Sequence, residues 1–456
     1  MKILLIGNGA REHIIGEKFV NSCTKPKLYI FGDKKNPGLA KLATQYQLGS
    51  LTDFKALEQF AKKIKPDFAF IGPDNPIADG AADLLEKLHI PSIAPKKALA
   101  CIESSKSFTR ALLNEYKIPG NPQLKIFYLN CDKKCNIATT FCSNKLSDHK
   151  KAITQFIKKL NNNYVVKFDG LKGGKGVKVS GDHLITPKEG IAYAMECLKQ
   201  ANQVVIEEKL IGQEFSLMCF TDGKTVIPMP AIQDFKRAFD NDKGPNTGGM
   251  GSYSDANHYL PFLKKQEYDK AVDICRQVVN ALRKKCGEPY RGIIYGGFII
   301  TANDIKLIEF NARFGDPEAM NALSILKTDL VKICQAIIAG TLNKLKIEFA
   351  KKATVVKYAV PQGYPDNPAK GKEIKLEKIS KKCRTYFASV DAQGKKILLS
   401  TSRAVAFVGI GKTIMEAEKI AENNVVNVVG PVFHRKDIAT KLLISKRIEF
   451  MKNLRK

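Results

Sequence analysis

The densest chemistry in the chain lies in Ile308-Glu309-Phe310-Asn311-Ala312-Arg313-Phe314-Gly315-Asp316-Pro317-Glu318. On a strand, residues two apart share a face, so Glu309 and Asn311 stand side by side. A carboxylate beside an amide oxygen suits a hard cation such as Mg2+ or Mn2+. Such an ion bridges the β- and γ-phosphates of a nucleotide. Arg313 continues the same face and can neutralise charge on a transferring phosphoryl group or an acyl phosphate. The spacing would also fit a salt-bridged edge strand, but the adjoining Phe-Gly-Asp-Pro turn favours a site.

A second constellation precedes it. Tyr164–Phe168 reads as a strand, and Gly170-Leu171-Lys172-Gly173-Gly174-Lys175-Gly176 as a glycine-rich hairpin. This is no Walker A loop, because no Ser or Thr follows the lysine and strands flank it on both sides. Its glycines can bring backbone N–H groups close to phosphate oxygens, with Lys172 and Lys175 at the tip and Lys167 one strand earlier. Ser104, Ser105 and Lys106 stand near the start of a helix expected around 101–116. In Glu207-Glu208-Lys209-Leu210-Ile211-Gly212-Gln213-Glu214, a strand ends in an acid, then a hinge and another acid. Backbone groups at 207–210 suit an adenine base, and a carboxylate suits ribose hydroxyls.

These residues need a scaffold. Residues 2–100 alternate apolar runs (Lys2–Ile6, Leu28–Phe31, Asp67–Ile71, Ser92–Ala94) with helical stretches near Glu12–Ser22, Phe54–Lys63 and Ala78–Leu88. That alternation predicts an open parallel α/β sheet. The turn Gly7-Asn8-Gly9-Ala10-Arg11-Glu12 begins like a dinucleotide fingerprint, but Glu12 stands where the third glycine belongs. It reads either as an anion-binding turn at a helix N-terminus or as a plain strand-to-helix turn. Residues 130–150 read as a polar insertion or surface loop holding Cys131, Cys135 and Cys142. With His149 the only further candidate ligand nearby, reduced thiols are expected there rather than a metal. Helices are expected at Leu330–Ile338 and Ile414–Val426.

The chain has 456 residues, 44% of them apolar and 26% charged, which excludes a disordered or fibrous protein. Its 74 basic and 45 acidic residues give a net charge of +29, which favours anionic partners without choosing among them. No run approaches the roughly 18 apolar residues of a membrane span. The eleven scattered cysteines include no C-x-x-C pair, and a cytoplasmic protein without membrane partners is expected.

The order Lys167, glycine-rich hairpin, E-E-K-L hinge and E-F-N-x-R-F-G-D-P-E resembles the ATP-grasp superfamily. Three further segments resemble the phosphoribosylamine–glycine ligase family within it. They are Ile6–His13, the Gly72-Pro73-Asp74 turn, and Gln233-Asp234-Phe235-Lys236-Arg237 followed by G-P-N-T-G-G-M-G at 244–251. The resemblance spans about residues 1–440. It implies an α/β and α+β multidomain fold: an N-terminal open parallel α/β sheet (1–103), an ATP-grasp core (104–330, with 120–200 as a mobile lid), a small C-terminal α+β domain (331–440) and a basic tail (441–456).

The resemblance also implies a reaction. ATP phosphorylates the glycine carboxylate, and the amine of 5-phosphoribosylamine attacks the glycyl phosphate. The products are glycinamide ribonucleotide, ADP and phosphate, at the second step of de novo purine synthesis. Glu309 and Asn311 would hold the metal, and Arg313, Lys175 and Asp316 would act at the reacting groups. Lys106, Lys167, Lys172, Gly173, Gly174, Gly176, Glu207, Lys209, Leu210 and Glu214 would bind ATP. The other substrates would fall to Gly7, Asn8, Gly9, Arg11, Glu12, Gly72, Pro73, Asp74, Asp234, Lys236, Arg237, Pro245, Asn246, Thr247, Gly248, Gly249 and Gly315. Phe235 stands where relatives often carry His, Asp74 where some carry Glu, and Gly297 where many grasp enzymes place another metal ligand. A monofunctional monomer or weak homodimer is expected. The alternatives are another carboxylate–amine ligase or carboxylase of the superfamily, and a basic RNA-binding protein that has lost catalysis. The first should lack G-P-N-T-G-G-M-G, and the second should lack Lys175, Glu309, Asn311 or Arg313.

Overall fold

The computed structural model describes residues 1–129, 139–172 and 175–456. Near-continuous apolar runs such as Ile3-Leu4-Leu5-Ile6 are buried on both faces, as parallel strands covered by helices must be. Five parallel strands lie in the spatial order Gln45–Leu48, Lys27–Gly32, Lys2–Ile6, Phe68–Ile71, Ser92–Ile93. The chain reverses direction of travel across the sheet at Lys2–Ile6. The turns after that strand and after Phe68–Ile71 therefore flank the crevice where such sheets bind ligands. The edge strand Gln45–Leu48 was not anticipated. It is half-buried and polar, so it lacks the apolar signature of its neighbours. The single helix expected at 78–88 is two, Asp74–Asp79 and Ala81–Lys87, broken at Gly80, whose φ is +100°.

The next unit has two sheets. The first runs Thr140–Ser143, Leu124–Leu129, Gln203–Glu208, Tyr164–Phe168, Val177–Val179, covered by helices Leu146–Lys159 and Pro187–Ala201 with a core of their own. The expected insertion at 130–150 is thus corrected from residue 140 onward. Thr140–Ser143 pairs with Leu124–Leu129, and a helix begins at Leu146. Cys131 and Cys135 lie outside the described residues. His149 is buried against Phe127 and Phe141, with Nε2 on the Ser143 carbonyl at 2.9 Å, so it faces a core. The second sheet is antiparallel: Val226–Pro228, Gln213–Thr221, Gly292–Ile300, Ile305–Asn311, backed by the long helix Lys265–Cys286.

The third sheet joins regions distant in sequence. Gln233–Asp234 pairs with Gly251–Ser254, which pairs with Ala353–Pro361, then Val405–Gly411 and Arg384–Phe387. The end of the G-P-N-T-G-G-M-G segment is therefore a strand of the sheet that the C-terminal region completes. Helix Ile414–Val425 packs on that sheet. Residues Lys441–Leu454, expected as a basic tail, form a helix that buries Leu443, Ile444 and Met451.

Candidate active site

A cleft of about 730 Å³ opens between the two central sheets, the first turns of the N-terminal sheet and the C-terminal region. The strand Ile305–Asn311 forms its floor. Glu309 and Asn311 both line it, and neither side chain is engaged in a hydrogen bond or ion pair among the described residues. Burial pushes the Glu309 carboxyl up. Lys236, Lys106, Lys167 and Arg313 outweigh that and hold it below the usual carboxylate range. An ionised carboxylate and an amide with open oxygens fit a hard divalent cation. Across the sheet Gly297 pairs with Glu309, so that position carries no third side-chain ligand.

Arg313 is tied at one end only. Its Nη2 meets Glu103 at 3.1 Å and its Nη1 the Phe314 carbonyl at 3.3 Å, while the buried Nε has no partner. Glu103 also accepts from the Ala312 N–H at 2.7 Å. Burial raises its carboxyl above the ordinary range against the pull of Arg313. Asp74 joins this group as a near charge and lines the cleft.

The strand Tyr164–Phe168 contributes Lys167, whose Nζ meets Glu207 at 2.7 Å and the Ile308 carbonyl at 2.9 Å. Arg110 grips the same carboxylate in a fork, Nε to Oε1 at 2.6 Å and Nη2 to Oε2 at 3.0 Å. Burial opposes ionisation of Glu207, but Arg110 and Lys167 overcome it and its pKa is lowered. Both oxygens of the Glu207 side chain are therefore engaged within the protein. The Leu210 N–H in the same hinge meets no described acceptor, and Glu214 remains half-exposed beside Lys236 at 2.9 Å. Lys209 is turned to the Ser180 carbonyl at 2.9 Å.

Asp169 anchors the hairpin by accepting from the N–H groups of Lys106 and Ser107 and the hydroxyls of Ser105 and Ser107. Lys106 Nζ holds the Gly170 carbonyl at 2.9 Å. Lys172 lies over the Phe168 ring, 4.5 Å from its centroid, and lines the cleft with Gly176. Lys175 is exposed at the tip and does not line the cleft; Gly173 and Gly174 lie outside the described residues.

The N-terminal turns differ from expectation. Glu12 folds back under its own turn, where its Oε2 takes the Gly9 N–H at 2.6 Å and its Oε1 takes Arg11 Nε at 2.7 Å. The Gly9 N–H is thus occupied and does not aim at a ligand. Gly72 is the close-approach position, since a Cβ there would stand 2.0 Å from Glu12 Oε1. Gly7, Asn8, Gly9, Glu12, Gly72 and Pro73 shape this turn, and only Arg11 and Asp74 of the two turns line the cleft. Asn8 binds Asp33 N–H through Oδ1 at 3.1 Å.

On the opposite wall, Asp234, Lys236, Arg237, Asn246, Thr247 and Gly248 line the cleft, whereas Pro245 and Gly249 stand behind it. Asp234 is raised to about 7 by burial and by Glu318 and Glu214, with Lys236 opposing. Phe235 is a core ring, packed with Tyr253 and under the Arg435 guanidinium at 5.0 Å. Asp316 accepts from the Tyr358 hydroxyl at 2.5 Å and pairs with Arg403 at 3.1 Å. Gly315 lies behind, its N–H on the Met218 sulfur at 3.3 Å. Sequence reasoning missed Glu103, Arg110, Glu318, Arg403 and Arg447, all cleft-lining. Glu318 closes the E-F-N-x-R-F-G-D-P-E motif but was given no role; the other four lie outside any motif, and their partners are remote in sequence.

An acid-and-amide floor between two sheets, ringed by Lys106, Lys167 and Lys172, marks an enzyme of the ATP-grasp class. Residues 1–103, 123–319 and 354–441 match the N, ATP-grasp (A) and C domains of phosphoribosylglycinamide synthetase. The chain belongs to that family and is a ligase. It is similar to the phosphoribosylamine–glycine ligase of Methanosarcina barkeri, 46% identical over 455 residues and all of both chains. With that of Pyrococcus furiosus it shares 43% over 458 residues, all of this chain and 98% of the other. The crystal structure of phosphoribosylamine–glycine ligase from Thermotoga maritima superposes with a TM-score of 0.76 at 25% identity, covering 96% of this chain and 100% of that one. The biotin carboxylase domain of a Hydrogenobacter thermophilus 2-oxoglutarate carboxylase shares the fold, with a TM-score of 0.67 at 16% identity, covering 99% and 93%. Among the described residues no helix is long and apolar enough to cross a membrane.

Proposed function

We propose that this cleft joins glycine to 5-phosphoribosylamine at the expense of ATP, through a glycyl phosphate, as a step of purine synthesis. The observation that carries the reading is the floor. An ionised Glu309 and an unengaged Asn311 are ringed by Lys236, Lys106, Lys167 and Arg313. Two anions, the γ-phosphate and the glycine carboxylate, must meet there, and cationic surroundings lower that barrier without a protein nucleophile. Glu309 and Asn311 would hold Mg2+ or Mn2+, which supplies charge neutralisation on the nucleotide phosphates when bound.

The adenine edge takes the Leu210 N–H, and Glu214 takes the ribose hydroxyls. Lys172 and Lys175 close over the triphosphate on a hairpin whose base Lys106 and Asp169 hold fixed. Arg313 lies nearest the transferring phosphoryl group. Arg11, Asp74, Asp234, Lys236, Arg237 and Asn246–Gly248 enclose glycine and the sugar phosphate, with Asp316 beside them. The enzyme works in the cytoplasm as a monomer or weak homodimer. The test is phosphate release from ATP with glycine, phosphoribosylamine and metal omitted one at a time. Full release is expected only with all three. Release without glycine, or equal turnover with another amino acid, would overturn the reading.

A further inference from the structure

Arg403 lies before the strand Val405–Gly411 and reaches the cleft from the C-terminal region. One edge of its guanidinium is fixed. Nη1 donates to the Asp316 carbonyl at 2.8 Å and the Gly249 carbonyl at 3.2 Å, and pairs with the Asp316 carboxylate at 3.1 Å. Its face lies 4.6 Å from the Tyr358 ring centroid, and the Tyr358 hydroxyl holds the same carboxylate. The other edge is bare. Nε is buried without a hydrogen-bond partner, and Nη2 donates to no described residue. A fork anchored on one edge and open on the other is a receptor for two oxygens of a phosphate.

The neighbouring glycine fits this use. A Cβ on Gly248 would stand 3.3 Å from Cζ, Nε and Nη2, against the bare edge itself. Gly248 does not occupy the left-handed region, unlike Gly249 at φ +109°, so its backbone would accept a side chain. What glycine supplies at 248 is room. Position selects the ligand. The Asp316 carboxylate gripped by Arg403 lies 3.9 Å from where a Gly9 Cβ would sit, beside the first turn of the N-terminal sheet. The receptor therefore opens beside the first turn of the N-terminal sheet, at the crevice where such sheets bind ligands.

We infer that the Nε–Nη2 edge of Arg403 receives the 5-phosphate of the sugar-phosphate substrate, and that Gly248 keeps that edge open. The inference rests on the reading under Proposed function. Its test compares wild type, Arg403→Met and Gly248→Ala for the KM of each substrate, and for calorimetric binding of ribose 5-phosphate with ribose as control. Both variants should raise the KM for phosphoribosylamine by about 10- to 100-fold and weaken ribose 5-phosphate binding equally. The KM values for ATP and glycine should move less than about 2-fold. Gly248→Ala keeps the charge and its anchors, so a folding defect of Arg403→Met does not mask the result. A KM rise for glycine alone, or for ATP alone, would overturn the assignment, as would unchanged ribose 5-phosphate binding in both variants. Wild type that binds ribose 5-phosphate through Arg403 but fails to turn over would instead refute the reaction.

Discussion

Two groups of buried charge meet beneath the cleft, and they differ in what is left open. Around Glu207 every oxygen is occupied. Arg110 and Lys167 share the carboxylate, and Arg110 also donates to the Leu307 and Ile308 carbonyls at 2.9 and 2.8 Å. At the floor the Glu309 oxygens are unengaged and Arg313 keeps a buried Nε without a partner, as Arg403 does on the C-terminal wall of the cleft. Both groups are desolvated, so burial alone does not mark a site. Within the cleft, the open hydrogen-bonding capacity is what a ligand would fill, because a buried polar atom without a partner is costly.

The largest expected effect is on the open group. Glu309→Ala should reduce turnover by at least about 1,000-fold while leaving the unfolding midpoint nearly unchanged. An unfolding midpoint that fell in step with activity would place Glu309 in the closed class. Arg110→Met should do the reverse. Removing one partner of a buried pair costs about 3–5 kcal/mol, so denaturant unfolding should shift strongly. Protein that remains folded should keep a near-normal KM for ATP; a lost ATP site at normal stability would break the distinction. Arg313→Lys keeps the charge and loses the planar fork, and kcat should fall roughly 100-fold with KM values little changed.

The smallest effect is on pH dependence, and its sign separates the groups. Glu422 belongs to a closed cluster with the buried Lys357 and with His434. Burial would raise its carboxyl, but the bonds from His434 and Lys357 bring it down to about 2. Its folded pKa lies below its unfolded value, so its contribution is present above about pH 4 and is lost as pH falls toward 2. Asp234, in the open group, is raised to about 7. There the folded form binds its proton more tightly, so this group costs stability progressively as pH rises from about 4 to 7. In the ligand-free protein, Glu422→Gln should flatten the acid limb of the stability profile. Asp234→Asn should remove a decline between about pH 4 and 7, and equal slopes in both variants would contradict the contrast.

Legibility in the sequence followed the same division. Glu309, Asn311 and Arg313 could be read because alternation on one strand gathers them. The N-terminal strands could be read because burial on both faces leaves apolar runs. Glu207 looked like a ligand for adenosine because it ends a strand beside a hinge. Its carboxylate is held by Arg110, which lies 97 residues away on a helix and carries no local signal. Glu12 was legible as an obstacle to dinucleotide packing, but not as the group that takes the Gly9 N–H. Arg403 and Arg447 enter from the C-terminal region through long-range packing, which no spacing rule reveals. The +29 charge pointed to anions, and the cleft accounts for eleven of the 74 basic residues.

Phosphorylation of the glycine carboxylate by ATP at the Glu309–Asn311 floor should precede attack by the amine. It is tested most directly with glycine labelled with 18O in both carboxylate oxygens, turned over with ATP, metal and phosphoribosylamine. One 18O atom is expected in each phosphate released, because that oxygen leaves carbon when the acyl phosphate is cleaved. Phosphate free of label would contradict it.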